Sequence, residues 1–343
     1  MEPAVRKQKI LAAIVESYID TGEPVGSKSL ISETGLNVSS ATVRNDMAEL
    51  TSLGYIVQPH TSAGRIPTAY GYRFYIDNVM KVAPISPQGR QYISETLQNS
   101  GDSPESILQG AADLLSKLTG RTALFTTPSG ENSRIRKISF VQTGARSAMV
   151  ILIASNGTIK TKLFRCEFLI TPEILGVFDK ALNEIFQGVK LSSVNQPFIQ
   201  TAAVRFGELS LLMPSALMAI KDAAEQANTV SVCQSGRGKL AFAPDVNLNT
   251  SRSVIEFLNN ERDLAVTLEK SPQHTAVTIG KENSRIELAS NSVISTRYKI
   301  DGNPSGVAAL ITPLRTDYSK NISVLECVAE CAGELIEELI EAK

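Results

Sequence analysis

Residues 25–76, VGSKSLISETGLNVSSATVRNDMAELTSLGYIVQPHTSAGRIPTAYGYRFYI, decide how the N-terminal part of this chain folds. They predict a short helix, a tight turn, a second helix and then a ribbon with aromatic residues, Gly and Pro, in which no acidic residue precedes Asp77. This order is typical of a winged helix-turn-helix, whose second helix enters the major groove of DNA. The stretch therefore predicts a DNA-binding domain.

Three helices are predicted before the ribbon. The first is indicated by an apolar stripe at helical spacing, formed by Ile10, Leu11, Ile14, Val15, Tyr18 and Ile19. Ser27 can cap the second helix and Gly35 can end it, because glycine adopts positive φ at no steric cost. Ser39 or Ser40 caps the third helix, which we expect to run to about Leu53.

The third helix carries the main predicted DNA contacts. Val43, Met47 and Leu50 share its inward face. Arg44 and Asn45 therefore point outward, where Arg can pair with a guanine edge and Asn with an adenine edge. The DNA-binding residues predicted on this helix are Ser40, Thr42, Arg44 and Asn45. The alternative is a solvated helix face, which is disfavoured because the whole helix-turn-helix-wing order is present.

The ribbon is expected to form the wing. Gly54 breaks the third helix, and a strand over residues 55–57 follows. The next loop supplies two predicted contacts, His60 and Arg65, and Arg65 is expected at the wing tip as its only cation. Lys28, at the start of the second helix, is a further candidate for a phosphate contact.

The charge of this region is balanced. Residues 1–75 hold seven Lys or Arg and seven Asp or Glu, so the domain is not basic overall. The charges are segregated, however, because residues 58–76 contain Arg65 and Arg73 and no carboxylate. We therefore predict a specific binder that relies on placed contacts and has weak affinity for non-specific DNA.

Four stretches resemble the HrcA family of bacterial heat-inducible transcription repressors: ATVRNDMAELTSLGYI at 41–56, QPHTSAGRIPTAYGYRFYID at 58–77, IGKEN at 279–283 and GVAALITPLRTDYS at 306–319. The resemblance spans both ends of the chain, whereas residues 170–250 carry no matching motif. It implies a homodimeric repressor of chaperone genes that binds an inverted-repeat operator in double-stranded DNA. It also implies that a GroE-type chaperonin keeps the repressor competent to bind.

Composition is consistent with a cytoplasmic regulator. The chain has 343 residues, 43% of them hydrophobic, and a net charge of −1. No signal peptide or membrane span is expected, and neither a metal nor a cofactor is predicted. With only His60 and His274, no histidine-based triad can be assembled, so we predict that the protein is not an enzyme. Four scattered cysteines, expected to be free and buried, are Cys166, Cys233, Cys327 and Cys331.

The predicted fold class is α+β. After the winged helix at 1–80, the resemblance supplies a GAF-like α+β domain in two segments, 81–170 and 252–343, interrupted by an inserted dimerising domain at 171–251. β-rich segments between 137 and 164 predict a meander, with Asn156-Gly157 as a type I′ turn. The C-terminal helix has an apolar seam for packing on a sheet or on another subunit.

The inserted segment is the favoured dimer interface. Its second half is too apolar for one helical stripe, so it must be buried in a core or against another subunit. The residues concerned are Leu209, Leu211, Leu212, Met213, Leu217, Met218 and Ile220. Two other functions stay open: a winged-helix regulator controlled by a small ligand in the GAF-like domain, and an enzyme with an appended DNA-binding domain. SGRGKL at 235–240 lacks the residues of a phosphate-binding loop and is interpreted as a hairpin turn.

Overall fold

The computed structural model describes residues 5–34, 39–61, 63–128, 130, 133–206, 213–240 and 248–341. These residues form a mixed α+β architecture with three antiparallel sheets, which confirms the predicted class. Some predicted features lie outside the described residues: the turn around Asn37, the end of the second helix at Gly35, and the apolar residues Leu209, Leu211 and Leu212. The sequence KLAFAP at 239–244 predicts a strand, and most of it also lies outside the described residues.

The N-terminal unit, defined here as residues 5–80, contains four helices and a two-stranded hairpin. Its elements are α1 (Val5–Thr21), α2 (Ser27–Thr34), α3 (Ser40–Ser52), β1 (Ile56–Val57), β2 (Ile66–Pro67) and α4 (Ala69–Asn78). The predicted stripe on α1 is confirmed at its centre, where Ile10, Leu11 and Ile14 are fully buried. They share one hydrophobic cluster with Val43 and Leu50 of α3, so burial of these faces holds the helices together.

Two further units follow a linker at residues 81–86. Their elements in chain order are α5 (Pro87–Gln98), α6 (Pro104–Thr119), β3 (Thr122–Thr126), β4 (Ile135–Gly144), β5 (Ser147–Ala154), β6 (Ile159–Arg165), α7 (Pro172–Phe186), α8 (Gln196–Arg205), α9 (Pro214–Asn228), β7 (Val232–Ser235), α10 (Leu248–Asn259), α11 (Glu261–Glu269), β8 (Ala276–Ile279), β9 (Asn291–Ile300), β10 (Asn303–Pro313) and α12 (Tyr318–Glu341).

A five-stranded antiparallel sheet with the order β7-β3-β10-β9-β8 forms the centre of the molecule. Successive residues of a strand face opposite sides, and the cores alternate accordingly. Leu310 belongs to the cluster shared with α6, α12 and the N-terminal unit, whereas Ala309 and Ile311 pack with α10 and α11. The apolar seam of α12 therefore packs on the five-stranded sheet of the same chain, which is one of its two predicted roles. The sequence near 252–269 predicts a single helix, but the structure has two, because the Asn260 side chain caps α11 by accepting the Asp263 backbone N–H.

The insert unit, defined here as residues 135–227, encloses a hydrophobic core of its own. The strands β4, β5 and β6 form the predicted meander, and α7 and α9 cover one face of it. These strands are predicted to belong to the first segment of the GAF-like domain. In the structure they pack on the inserted helices instead, because Val150 and Leu152 of β5 meet the buried faces of α7 and α9, represented by Phe178 and Leu217.

The turn between β5 and β6 differs from the prediction. Only Gly157 has positive φ, at 79°, whereas a type I′ turn requires positive φ at both central residues. The Ala154 N–H donates to the Thr158 carbonyl at 2.9 Å, which closes a three-residue loop with glycine in the left-handed position. The turn is therefore longer by one residue than the predicted one. In SGRGKL, residues 237–240 form a 3-10 turn after β7, and the strand that would complete a hairpin lies outside the described residues.

The linker after the N-terminal unit is fixed to the start of α12. The Ala83 N–H donates to the Ser319 hydroxyl at 3.0 Å, and that hydroxyl donates to the Lys81 carbonyl at 2.9 Å. The Ser323 hydroxyl also donates to the Ala83 carbonyl. Residues 81–86 are thus anchored by hydrogen bonds although they lack regular structure.

A second junction joins α4 to the edge of the sheet. The Arg73 guanidinium forms an ion pair with Glu282, with Nε at 3.0 Å from Oε1, and also donates to the Val277 carbonyl on β8. Nearby, the rings of Tyr72 and Tyr318 pack with centroids 5.7 Å apart. Burial of the Glu282 carboxyl would raise its pKa, but hydrogen bonds from Arg73 and from the backbone outweigh burial and lower the pKa.

All four cysteines are free, as predicted, and three of them are buried. Cys327 and Cys331 lie four residues apart on α12, and the hydrogen bond between the two thiols lowers the pKa of Cys327 to about 7 and raises that of Cys331. Among the described helices, none is long and apolar enough to cross a membrane.

Candidate nucleic-acid interface

The start of α3 is an exposed helix N-terminus with an ordered cap. Ser39 is the N-cap, which decides between the two predicted residues, and its hydroxyl accepts the Thr42 N–H at 3.1 Å. Ser39 also exchanges a hydrogen bond with the Thr42 hydroxyl at 2.9 Å. A helix N-terminus carries partial positive charge and free N–H groups, so this end of α3 can accept an anion such as a phosphate.

The two faces of α3 differ as predicted. Val43, Met47 and Leu50 are buried, whereas Arg44 and Asn45 are exposed. The Arg44 Nε donates to the Ser27 hydroxyl at 3.3 Å, and that hydroxyl lies 3.5 Å from the Ser40 hydroxyl. The structure therefore brings Ser40 and Arg44 together with the first residue of α2, next to which Lys28 is exposed.

Ser27 is a member of this cluster that the sequence analysis assigned a different role. It is predicted as the cap of α2, but the helix begins at Ser27 itself and its hydroxyl contacts Arg44 and Ser40. The sequence feature that indicates this contact is a hydroxyl residue at the start of α2, the first helix of the helix-turn-helix. Spacing along the chain does not reveal the contact, because Ser27 and Arg44 are 17 residues apart.

The acidic residues of α3 are neutralised by α1. Asp46 is 4% exposed and accepts two hydrogen bonds from Arg6, at 2.7 and 2.9 Å. Lys7 forms a further ion pair with Glu49. The basic start of α1 is therefore used inside the unit, where it fixes α1 on α3 and offsets the negative charge beside the exposed face.

The hairpin that follows α3 ends in a compact turn. The Gln58 side-chain amide donates to the carbonyls of Thr61 and Ala63 at 2.9 and 3.0 Å, and the Ala63 N–H donates to the His60 carbonyl at 2.9 Å. His60 and Thr61 are exposed at this end of the hairpin. Gln58 was not singled out from the sequence, because a glutamine in a polar loop has no distinguishing pattern.

Arg65 does not occupy the tip of the hairpin, so its predicted position is wrong. Its backbone pairs with Val25 through two hydrogen bonds of 2.9 Å, and its Nε donates to the Thr51 hydroxyl at 3.2 Å. Arg65 thus lies at the base of the hairpin beside the last turn of α3. The adjacent Gly64 explains the position: a Cβ there would lie 2.4 Å from the Val25 carbonyl oxygen, so only glycine permits this close approach.

Arg73 likewise does not contribute to a positive hairpin surface. The absence of carboxylates at 58–76 suggested an unpaired cation, but Glu282 and Asp77 both pair with it. Hydrogen bonding to Glu282 raises the pKa of Arg73, with burial opposing it. The free cationic surface of the unit is therefore smaller than the sequence indicated.

The capped, exposed N-terminus of α3 and its polar face have the chemistry of a nucleic-acid contact. The family model described as the HrcA protein C-terminal domain matches residues 105–322. The chain belongs to the HrcA family, which consists of transcription repressors and not of enzymes.

Two relatives support this assignment, and a solved structure shares the fold. A protein of Symbiobacterium thermophilum named heat-inducible transcription repressor HrcA is 31% identical over 327 residues, which cover 94% of this chain and 96% of the relative. The protein of the same name from Syntrophobacter fumaroxidans is 32% identical over 333 residues, 94% of each chain. A crystal structure described as a hypothetical protein is 25% identical, covers 98% of this chain and 100% of its own, and superposes with a TM-score of 0.66.

Proposed function

We propose that this protein is a homodimeric, cytoplasmic repressor of heat-shock genes that binds an inverted-repeat operator through a winged helix-turn-helix formed by residues 5–80. In this proposal α3 reads base edges in the major groove and the β1–β2 hairpin is the wing. The observation that carries the proposal is the pair Arg44 and Asn45, exposed side by side on an N-capped helix whose own acids are paired with α1.

The remaining predicted residues are assigned to the DNA backbone. Ser40 and Thr42 lie in the first turn of α3, and Lys28 is exposed at the start of α2, where they can contact phosphates. His60 is at the wing tip, and Arg65 is assigned to a phosphate beside the end of α3 because its side chain faces Thr51. Since residues 1–75 hold as many acidic as basic residues, affinity for non-specific DNA should be weak.

The operator contacts are tested by substitution in the full chain. Arg44→Ala and Asn45→Ala should each weaken operator binding by about 1–3 kcal/mol, because each removes a pair of hydrogen bonds to a base edge. The loss should concentrate at particular base pairs of each half-site in a footprint. Arg252→Ala is the matched control, since Arg252 is an exposed arginine on α10. Equal weakening on operator and random DNA would refute base reading by these two residues.

Arg65→Ala tests the wing. If Arg65 neutralises one phosphate, the slope of log affinity against log salt should flatten by about one. Unchanged affinity with an unchanged slope would place Arg65 in a purely structural role through Thr51.

The insert unit is assigned the dimer interface, but through a different surface from the one predicted. Leu217 and Ile220 are buried in the core of their own subunit, which accounts for much of the apolar density of α9. The outer face of the meander carries apolar side chains instead, next to the polar residues Lys137, Ser139 and Thr161. Neighbouring strands place its residues in cross-strand contact: Val141, Met149, Ile151, Ile153, Ile159 and Leu163. Leu163 is 70% exposed and Ile159 is 52% exposed.

Several exposed apolar side chains are unusual on the outer face of an antiparallel sheet, which is normally polar. Two copies of the chain can bury this face against each other about a two-fold axis, which would also present two α3 helices to the two half-sites of an inverted repeat. We therefore assign dimerisation to residues 135–227 and the GAF-like domain to the five-stranded sheet with its helices.

The dimer assignment is tested by placing a charge on the meander. Leu163→Glu should produce monomers in sedimentation and reduce operator affinity, because one winged helix contacts only one half-site. Val204→Glu is the control: Val204 is 80% exposed on α8, outside the meander, and should leave the dimer intact. Dimers that persist in Leu163→Glu would exclude this face.

Dependence on a GroE-type chaperonin would follow from the same surface. A subunit whose insert unit is partly unfolded exposes both its core and the meander face, which are apolar surfaces of the kind that a chaperonin binds. After mild heating, the full chain should recover operator binding much better with chaperonin than without it. Equal recovery in both conditions would refute the folding-dependent mechanism and favour the alternative, a winged-helix regulator controlled by a small ligand.

A further inference from the structure

A cavity of about 300 Å³ lies between the five-stranded sheet and the helix pair α10–α11. Most of its exposed wall is apolar and comes from both layers: Leu124, Phe257, Leu264, Leu268, Val293 and Ile311. The volume is at the lower end of the range for small-molecule sites, which are mostly apolar and carry a few placed polar groups. The cavity therefore has the size and wall chemistry for a small hydrocarbon group.

Two charged side chains line the cavity, and they differ in their partners. Glu282 is paired with Arg73. The Lys270 ammonium, at the end of α11, makes no hydrogen bond or ion pair with any described residue. Thr267 and Ser271 also line the cavity and add hydroxyl groups. The described lining thus presents one unpaired charge, which is positive and next to an apolar interior.

We propose that this cavity binds a small apolar carboxylic acid, with its hydrocarbon part between the sheet and α10–α11 and its carboxylate on Lys270. Apolar walls supply affinity by burying hydrocarbon, and the ammonium supplies the choice of head group. A ligand with an ammonium head would place two cations together, and an uncharged alcohol would leave Lys270 without a partner.

The same cavity is connected to the N-terminal unit. Glu282 forms part of its wall and also holds Arg73 of α4, while Thr278 of β8 lines it one residue from Val277, whose carbonyl Arg73 contacts. A ligand that shifts residues 277–283 changes the contact that orients α4. Because α4 belongs to the proposed winged helix, this coupling makes operator affinity depend on the ligand. The coupling therefore rests on the proposed function.

Binding is tested first without DNA, by calorimetric titration of the full chain with octanoate. Octanoate should bind saturably, and octan-1-ol and octylamine should bind at least about tenfold more weakly because they cannot form the charged hydrogen bond. Lys270→Gln should reduce octanoate affinity about tenfold and leave octanol unchanged. Lys117→Gln, an exposed lysine on α6 across the sheet, is the control.

A cavity-filling variant guards against an unspecific effect. Ala276 is a half-buried lining residue on the edge strand β8, so Ala276→Leu occupies cavity volume at a position where the chain can adjust. It should abolish octanoate binding while keeping the thermal transition. The proposal is overturned if octanoate does not saturate at millimolar concentration, if Lys270→Gln binds it as wild type does, or if Ala276→Leu still binds it.

The coupling is measured separately. Operator affinity of the wild type should change at least about threefold with saturating octanoate. The double variant Arg73→Met/Glu282→Gln removes the ion pair without leaving an unpaired carboxylate in the cavity wall, so it should still bind octanoate saturably but lose this response. If octanoate binds but operator affinity does not change, the coupling is refuted and the proposed binding site stands. A chain that binds octanoate but no operator DNA at all refutes the proposed function instead, so the failures are distinguishable.

Discussion

The N-terminal unit shares a hydrophobic core with the central sheet, whereas the insert unit does not. Residues of α1, α3 and α4 belong to the same hydrophobic cluster as β9, β10 and α12, and ion pairs and backbone contacts add to the junction. The insert unit has a separate core, and the described polar contacts beyond it include one ion pair, Lys160 with Glu105. The difference indicates that the sheet and the N-terminal unit unfold together, whereas the insert unit can unfold by itself.

The largest expected effect comes from opening the insert core. Phe178 is 1% exposed, so Phe178→Ala should cost about 3–5 kcal/mol of the stability of that unit. Hydrogen exchange should accelerate for amides in β4–β6 and α7–α9 and stay slow in α3. Leu50→Ala is the comparison, expected to cost about 2–5 kcal/mol and to accelerate exchange in both the N-terminal unit and the sheet. A Phe178→Ala effect spread over the whole chain would contradict separate unfolding.

A glycine in the N-terminal unit gives the next effect. Gly64→Ala places a Cβ 2.4 Å from the Val25 carbonyl oxygen, a backbone atom that cannot rotate away. The strain should cost about 1–3 kcal/mol and lower the transition temperature of the unit that includes α3. Operator binding should weaken as well, since the hairpin must move away from α2. A wild-type transition temperature would mean that the hairpin base adjusts freely.

The matched glycine in the insert unit should act in the opposite direction. Gly176 lies inside α7, and a Cβ added at this position would have no atom within 4 Å. Gly176→Ala should therefore stabilise the insert unit by about 0.5–1 kcal/mol, because alanine loses less backbone freedom in a helix. Denaturant unfolding monitored in the insert is the measurement. A loss of stability would show that α7 contacts a surface absent from the single subunit, such as the partner copy.

The smallest effect concerns the Arg73–Glu282 junction. Both side chains are partly exposed, so Glu282→Gln should cost only about 0.2–1 kcal/mol. The pKa of Glu282 is lowered from 4.5, so the ion pair contributes fully above pH 4.5 and its contribution is lost as the pH falls through the lowered value. The stability difference between wild type and Glu282→Gln should therefore vanish in acid. A difference that grows toward low pH would contradict the sign of the shift.

Helix α3 shows what local pattern can predict. Its limits, its buried residues and its exposed pair Arg44 and Asn45 follow from apolar spacing, a capping serine and the break at Gly54, all of which act within a few residues. The α+β class and the order of most elements follow for the same reason. Family resemblance adds the repressor assignment, because the motifs at both ends of the chain are specific.

Long-range partners decided the rest. Arg65 and Arg73 are both cations in a stretch without carboxylates, yet one pairs through its backbone with Val25 and the other with Glu282, 209 residues away. The meander is a second example. Its alternation predicts strands with one buried face but does not indicate which helices bury that face. Periodicity is a property of neighbouring residues, whereas the partner of a charge or an apolar face is set by the packing of the whole chain, and only the tertiary structure contains that information.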